Sequence, residues 1–330
     1  MSARLQLPVV PAAFFGMVLG LAGLGYSWRA GHQVWSLPTV VGEALMVAAT
    51  LVWAITLVLY ALKWIASPAE ARSELAHPVQ CCFVGLVGVS TMLIAGAALP
   101  YSRLAAEILF ALGFAWTLAF AVWRTGALWS GGRDHAATTA VLYLPTVAGS
   151  FVTATMVAAL GYPDWGQLAF GAGLFSWLAV ESVLLHRLYI GTELPAPLRP
   201  TLGIQLAPPT VGAIAYVSVT SGAPDWLAHA LIGYGLLQAL VLLRLLPWIM
   251  RQPFAPSYWA FTFGASALAT APLGLIVRGD KGAMVTITPY LFAAANIVIG
   301  LIAFGTLVLA VRGQLLLPRS VVATTADGPS

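Results

Sequence analysis

The sequence predicts an all-α integral membrane protein of ten transmembrane helices, arranged as five helical hairpins. Three observations carry that expectation. First, of 330 residues 60% are hydrophobic and only 8% charged, far below the roughly 25% charged residues of a soluble domain. Second, ten apolar segments each reach the ~20 residues needed to cross a bilayer. Third, the links between them alternate, short after the odd-numbered segments and longer and more charged after the even ones. Short links imply antiparallel neighbours.

In chain order the spans are Pro8–Trp28, Pro38–Leu62, Cys81–Pro100, Leu104–Trp123, Leu142–Gly161, Trp165–Leu185, Leu202–Ser221, Trp226–Leu246, Ser257–Val277 and Val285–Val311. The first is too long for a signal-peptide core and more spans follow it. Cys81 and Cys82 are neighbours, a geometry that strains a disulfide, and read as packing residues. The links Tyr162–Asp164 and Gly222–Asp225 are short turns. Residues 1–315 form one transmembrane domain, and 316–330 a polar tail, expected to be disordered.

Orientation follows from lysine and arginine. Arg4, Lys63, Arg72, Arg124, Arg133, Arg187, Arg199, Arg244, Arg251, Arg312 and Arg319 fall on one side, and Arg29, Arg103, Arg278 and Lys281 on the other. The richer side faces the cytoplasm, so both termini are expected there. Tryptophans near span ends, such as Trp64, Trp165 and Trp226, suit interfacial anchoring. The net charge of +4 is a topology signal on short links and suggests no nucleic-acid partner.

The even spans hold the charges that fall inside spans: Glu43, Glu107, Glu181 and Arg244. The odd spans hold none, yet carry five of the six prolines inside spans. A proline frees a backbone carbonyl, which lipid does not satisfy but a protein-lined or wet lumen does. The division suggests a neutral inner set of irregular helices inside a supporting outer set, an arrangement for passing small solutes. Glycine and small residues recur on the odd spans, among them Phe15-Gly16 and Gly20 on the first, Gly88 and Thr91 on the third, Pro145 and Gly149 on the fifth, and Pro208 and Gly212 on the seventh. On the ninth, Ala260, Gly264, Ala267 and Thr270 are small, and Phe263 is the one bulky residue on the stripe that runs through Ala260, Ser266, Ala267, Thr270 and Gly274. Such a stripe reads either as a close-packing seam or as a wall beside a lumen, in which case the Phe263 ring is a plug. A lumen without fixed charge binds anions weakly and selects by ease of dehydration.

Glu107 is four residues from Arg103 and expected to pair with it. Glu181 and Arg244 lie at similar depth, which suggests helix–helix ion pairing or, alternatively, proton coupling in a carrier. The five histidines lack metal-ligand spacing. No phosphate-binding loop or nucleophile elbow is found, so neither an enzyme nor a bound metal or cofactor is expected.

Several stretches together resemble the tellurite-resistance and dicarboxylate transporter family, which includes bacterial TehA proteins and is related to the slow anion channel of plant guard cells. They are Phe15-Gly16 with Leu19-Gly20, Ser90-Thr91-Met92-Leu93, Tyr143-Leu144-Pro145, Ala148 with Phe151-Val152, Phe170-Gly171-Ala172-Gly173, Leu243-Arg244-Leu245 with Pro247-Trp248, and Trp259-Ala260-Phe261 with Phe263-Gly264. The resemblance spans roughly residues 8–315. It implies a ring of five hairpins with a pore through each subunit, a homotrimer, and transport of small anions such as chloride and nitrate. Tellurite or four-carbon dicarboxylates are the alternative cargo. It also implies a gate at Phe263 and residence in the inner membrane of a bacterium. Relatives often carry a proline in the middle of the third helix, where this chain reads Gly85-Leu86-Val87-Gly88.

Overall fold

The computed structural model describes residues 9–316, which are helical throughout with no strand. The expected tail, apart from Leu316, lies outside the described residues. Apolar segments in lipid must satisfy every backbone group internally, and the helix does so within one segment. The helices are α1 (Phe15–Trp35), α2 (Thr39–Ala66), α3 (Pro68–Ala76), α4 (Leu86–Ala98), α5 (Arg103–Trp129), α6 (Gly149–Ala159), α7 (Pro163–Ile190), α8 (Ala207–Val219), α9 (Trp226–Ile249), α10 (Thr262–Val277) and α11 (Ala283–Val311). Among the described residues nine helical stretches are long and apolar enough to cross a membrane. The apolar run of α1 is shortened by Arg29 and His32 near its end, but α1 packs between α2, α4 and α10 like the other inner helices.

Five hairpins result: α1/α2, α4/α5, α6/α7, α8/α9 and α10/α11. Their first members close into a ring, α1 on α4, α4 on α6, α6 on α8, α8 on α10 and α10 back on α1. The second members surround it. Burial separates the two sets: 56–89% of the apolar stretch is buried in α4, α6, α8 and α10 with their lead-in turns, against 22–28% in α2, α5, α7, α9 and α11. On α2, Val47, Leu51, Ile55 and Val58 present a stripe that is 57–60% exposed. In water so long an apolar stripe would be a liability; facing acyl chains it is the stable arrangement.

Each inner helix starts with an irregular turn at the same end of the ring. The 3-10 segments Ala12–Phe14, Gln80–Gly85, Ala196–Leu206 and Pro256–Phe261 precede α1, α4, α8 and α10. The 3-10 turn Ala140–Leu142 and the π turn Leu144–Ala148 precede α6. Prolines explain much of this. Pro145 sits in the π turn, Pro200 within a 3-10 segment, and Pro208-Pro209 in the first turn of α8, where missing N–H groups cost nothing. The prolines thus start the inner helices more than they kink them. Pro272 alone lies deep inside an inner helix, while Pro247 and Pro289 lie within outer ones.

One sequence expectation needs correction. The first odd helix is not free of charge: α1 runs on to Trp35 and carries Arg29. The link to α2 is only Ser36–Pro38, and α1 ends where Ser36 turns left-handed (φ 55°). The link after α2, expected only to be longer and more charged, is also structured. It folds as α3, with Pro68 in the first turn and Glu70 near the positive end of the helix dipole.

Arginines stitch the far rim, where the inner helices end. Arg29 of α1 donates to the carbonyls of Gly96 and Ala97 at the end of α4 (3.3 and 3.2 Å). Arg103, at the start of α5, donates to Leu160 O just past the end of α6 (2.9 Å). Arg278, at the end of α10, donates to Val217 O and Thr220 O at the end of α8. The last carbonyls of a helix have no intrahelical partner and carry its negative dipole end. Each arginine satisfies them from a neighbouring hairpin.

Candidate functional site: a vestibule inside the ring

The irregular starts of the inner helices surround a cavity of about 1000 Å³. Its wide end is rimmed by Lys63, Glu70, Ser73, Glu74 and His77, from the end of α2 and from α3, and by Leu315 and Leu316 after α11. The lining residue furthest along each inner helix from its irregular start is Leu19, Leu86, Phe151, Val211 or Phe263. Leu19, Leu86, Phe151 and Val211 are buried at 0–5% exposure, whereas Phe263 remains partly exposed. Of these five side chains, Phe263 alone keeps part of its surface accessible beside the cavity. It lies beside Gly23 of α1, where a Cβ would stand 3.5 Å from the ring. A larger residue at 23 would also meet Ser266 Oγ at 2.2 Å, so glycine lets α10 approach and hold the ring there.

The expected pore residues divide between this wall and the seams behind it. Gly16, Pro208, Ala260 and Phe263 line the cavity. The other residues lie on helix–helix contacts. Phe15 is fully buried with its ring edge-on to Tyr60. A Cβ on Gly20 would meet Thr262 of α10, on Gly88 Thr117 of α5, on Gly149 Thr117 again, on Gly212 the Phe151 ring, and on Gly264 Leu206. Thr91 donates back to Val87 O and accepts from Trp53 of α2. Pro145 and Ala267 are buried. Thr270 Oγ1 shares a 2.6 Å hydrogen bond with Ser27 across the α1/α10 seam.

Among the described residues, titratable groups reach the cavity only at its rim and at Tyr143. Lys63 Nζ and Glu74 Oε2 form a buried 2.8 Å ion pair, and Glu74 Oε1 accepts the Ala12 N–H at 2.8 Å. The pair ties α2, α3 and the approach to α1 together and cancels its own charge. Tyr143 donates to Glu181, which also accepts from Trp177 Nε1 (3.0 Å) and Tyr234 OH (2.7 Å). Glu181 is thus a buried carboxylate held by three neutral donors, with no cation within 4 Å among the described residues. The expected ion pair does form between Arg103 and Glu107 (2.8 Å), while Arg244 is exposed and has no ion-pair partner among the described residues. Arg29 pairs with Glu43 at 2.7 Å. Outside the spans, the Tyr216 hydroxyl and the Ala228 N–H hold the Asp225 carboxyl below the ordinary carboxylate range. No group of three or more His, Cys, Asp or Glu able to hold a metal occurs among the described residues.

A ring of five hairpins around a vestibule whose charged groups are confined to its rim suits transport, and residues 9–307 match the family described as SLAC1, voltage-dependent anion channel. The chain belongs to the SLAC1 family. It is 36% identical over 313 residues to a tellurite resistance protein TehA homolog of Haemophilus influenzae, covering 93% of each chain. It is 23% identical over 332 residues to the S-type anion channel SLAH3 of Arabidopsis thaliana, covering 97% of this chain and 51% of that one. An uncharacterized transporter of Methanocaldococcus jannaschii is 25% identical over 261 residues, or 69% of this chain and 71% of its own. Membership of the SLAC1 family makes this a multi-pass membrane protein of channel or transporter type, acting on anions.

Sequence reasoning missed the α3 strap, the Lys63–Glu74 pair and the three neutral donors around Glu181. Only α3 left a local signal, a serine–proline start followed by glutamate.

Proposed function

We propose that this SLAC1-family protein is an anion channel of a bacterial plasma membrane, conducting chloride and nitrate through each subunit and closed by the Phe263 ring. Both termini lie in the cytoplasm with the vestibule. The observation that carries this reading is the floor of the cavity, where one partly exposed ring stands among four buried side chains. Walls of Gly16, Leu19, Ala260 and Pro208 offer no fixed charge to trap an anion, so binding is weak and exit fast, and selection follows dehydration. The inner helices point their positive ends at the vestibule, which favours anions there.

The test is current through Phe263→Ala in bilayers or oocytes. The variant is expected to conduct more than the parent, and more nitrate than chloride because nitrate sheds water more easily. A correctly folded variant with no more chloride current than the parent sinks the gate assignment.

A second reading, export of tellurite or four-carbon dicarboxylates coupled to protons, rests on Glu181. Its carboxylate has no cation partner and touches Tyr143 at the vestibule wall. Flux driven by a pH gradient and abolished by Glu181→Gln favours the carrier; flux indifferent to both favours the channel.

A further inference from the structure

Behind the vestibule wall lies a cluster that conduction does not use. Cys81 and Cys82 follow Gln80 in the 3-10 segment before α4; both are free thiols and fully buried. Their Sγ atoms approach one acceptor, Pro78 O, at 3.7 and 3.9 Å, so the two sulfurs lie to one side of the segment. Arg124 Nη2 of α5 donates to the same carbonyl at 3.2 Å. Arg133, on the link after α5, spends Nη2 on Ala137 O. Arg124 Nε and Arg133 Nε and Nη1 are buried with no acceptor in hydrogen-bond geometry among the described residues. Both guanidiniums act on the Cys82 thiol. Burial pulls the Arg133 guanidinium below its ordinary value, as for a cation short of a counter-charge.

Unmade donors of this kind are costly to bury. Three of them beside two thiols ask for a ligand that is both an oxygen acceptor and an acceptor of sulfur. We propose that Cys81, Cys82, Arg124 and Arg133 form a capture site for a thiophilic oxo acid of a trivalent element, with arsenous acid as its simplest representative. Two As–S bonds replace two As–O bonds. The two thiol protons leave with the two hydroxyls as two waters, and no electrons are transferred. The third As–O group remains and accepts from the free guanidinium N–H groups. A bridging atom also relieves the strain that a direct bond between neighbouring cysteines would impose.

The test uses the full chain in detergent and is independent of any current. Phenylarsine oxide is expected to add once per chain, with loss of one water, and to protect both cysteines from iodoacetamide in peptide mass spectra. Cys81→Ser and Cys82→Ser each lose the stable adduct. Arg133→Gln separates the arginine role: arsenite retention falls about tenfold, the scale of an outer-shell loss at a ligand site, while phenylarsine oxide, which keeps no such oxygen, is retained as in the parent. An unprotected pair of cysteines in the parent overturns the site without recourse to variants. So does an adduct that survives Cys82→Ser, or equal retention of arsenite by the parent and Arg133→Gln.

Discussion

Gly20 and Gly171 are both helical glycines in apolar segments, yet their surroundings differ completely. A Cβ on Gly20 would stand 2.3 Å from Thr262 Oγ1 and 2.7 Å from Thr262 Cβ, while nothing lies within 4 Å of one on Gly171. Gly20→Ala is expected to push α1 off α10 and destabilise the ring by about 1–3 kcal/mol, the cost of overpacking. Gly171→Ala is neutral or slightly stabilising through helix propensity. Thermal unfolding in detergent checks both, and equal midpoints would refute the seam. The same pair marks what a single sequence reveals. That small residues gather on the odd helices is plain from the letters, and so is the isolation of Phe263 among them. Which small residue meets a lumen and which a neighbouring backbone depends on a partner helix far away in sequence: Gly16 faces the cavity, whereas Gly20, one turn on, faces Thr262. Glu181 was legible as unusual, but its donors Tyr143 and Tyr234 come from 38 and 53 residues away, beyond the reach of any local pattern.

At the scale of elements, link length was the readable quantity. Three to six residues join the members of each hairpin, such as Ser36–Pro38 and Thr220–Asp225, too few for anything but antiparallel neighbours. The irregular starts were half readable: prolines announce those of α6 and α8, but the switch from 3-10 to α at Gly85-Leu86 carries no proline. The rim arginines were counted as topology signals against the main trend. Their hydrogen bonds show why the rim keeps them, since each completes the end of a helix. Arg278 is the clearest case, with two carbonyls and Thr220 Oγ1 as acceptors and no carboxylate within 4 Å among the described residues. Arg278→Gln is expected to cost up to about 2 kcal/mol, the upper range for a partly buried cation at a helix end. Amide exchange should rise in the last turn of α8 and not in α4. Unchanged protection at Tyr216–Thr220 would show that the cap does not hold the helix.

For the whole molecule, the two-layered ring decides which surface meets which solvent. The outer helices are apolar on their exposed faces, and the inner ones are enclosed. The resemblance noted from the sequence adds an expectation of three subunits, each with its own pore. Light scattering of the detergent-solubilised protein, corrected for bound detergent, is expected to give three chains per particle; one chain would remove the trimer without touching the pore within each subunit. Exposed aromatic rings along outer helices, Trp116 and Phe175 among them, are available to such an interface as well as to lipid.

The contact of α10 back onto α1 has a topological consequence. A cyclic file of like units has no privileged first member, so the order α1, α4, α6, α8, α10 survives wherever the polypeptide happens to be cut. The described chain begins and ends at the vestibule face, where Val9 and Leu316 both border the opening. Splicing those ends and reopening the backbone in another of the longer connections would leave every neighbour relation intact, which makes the barrel a natural subject for circular permutation.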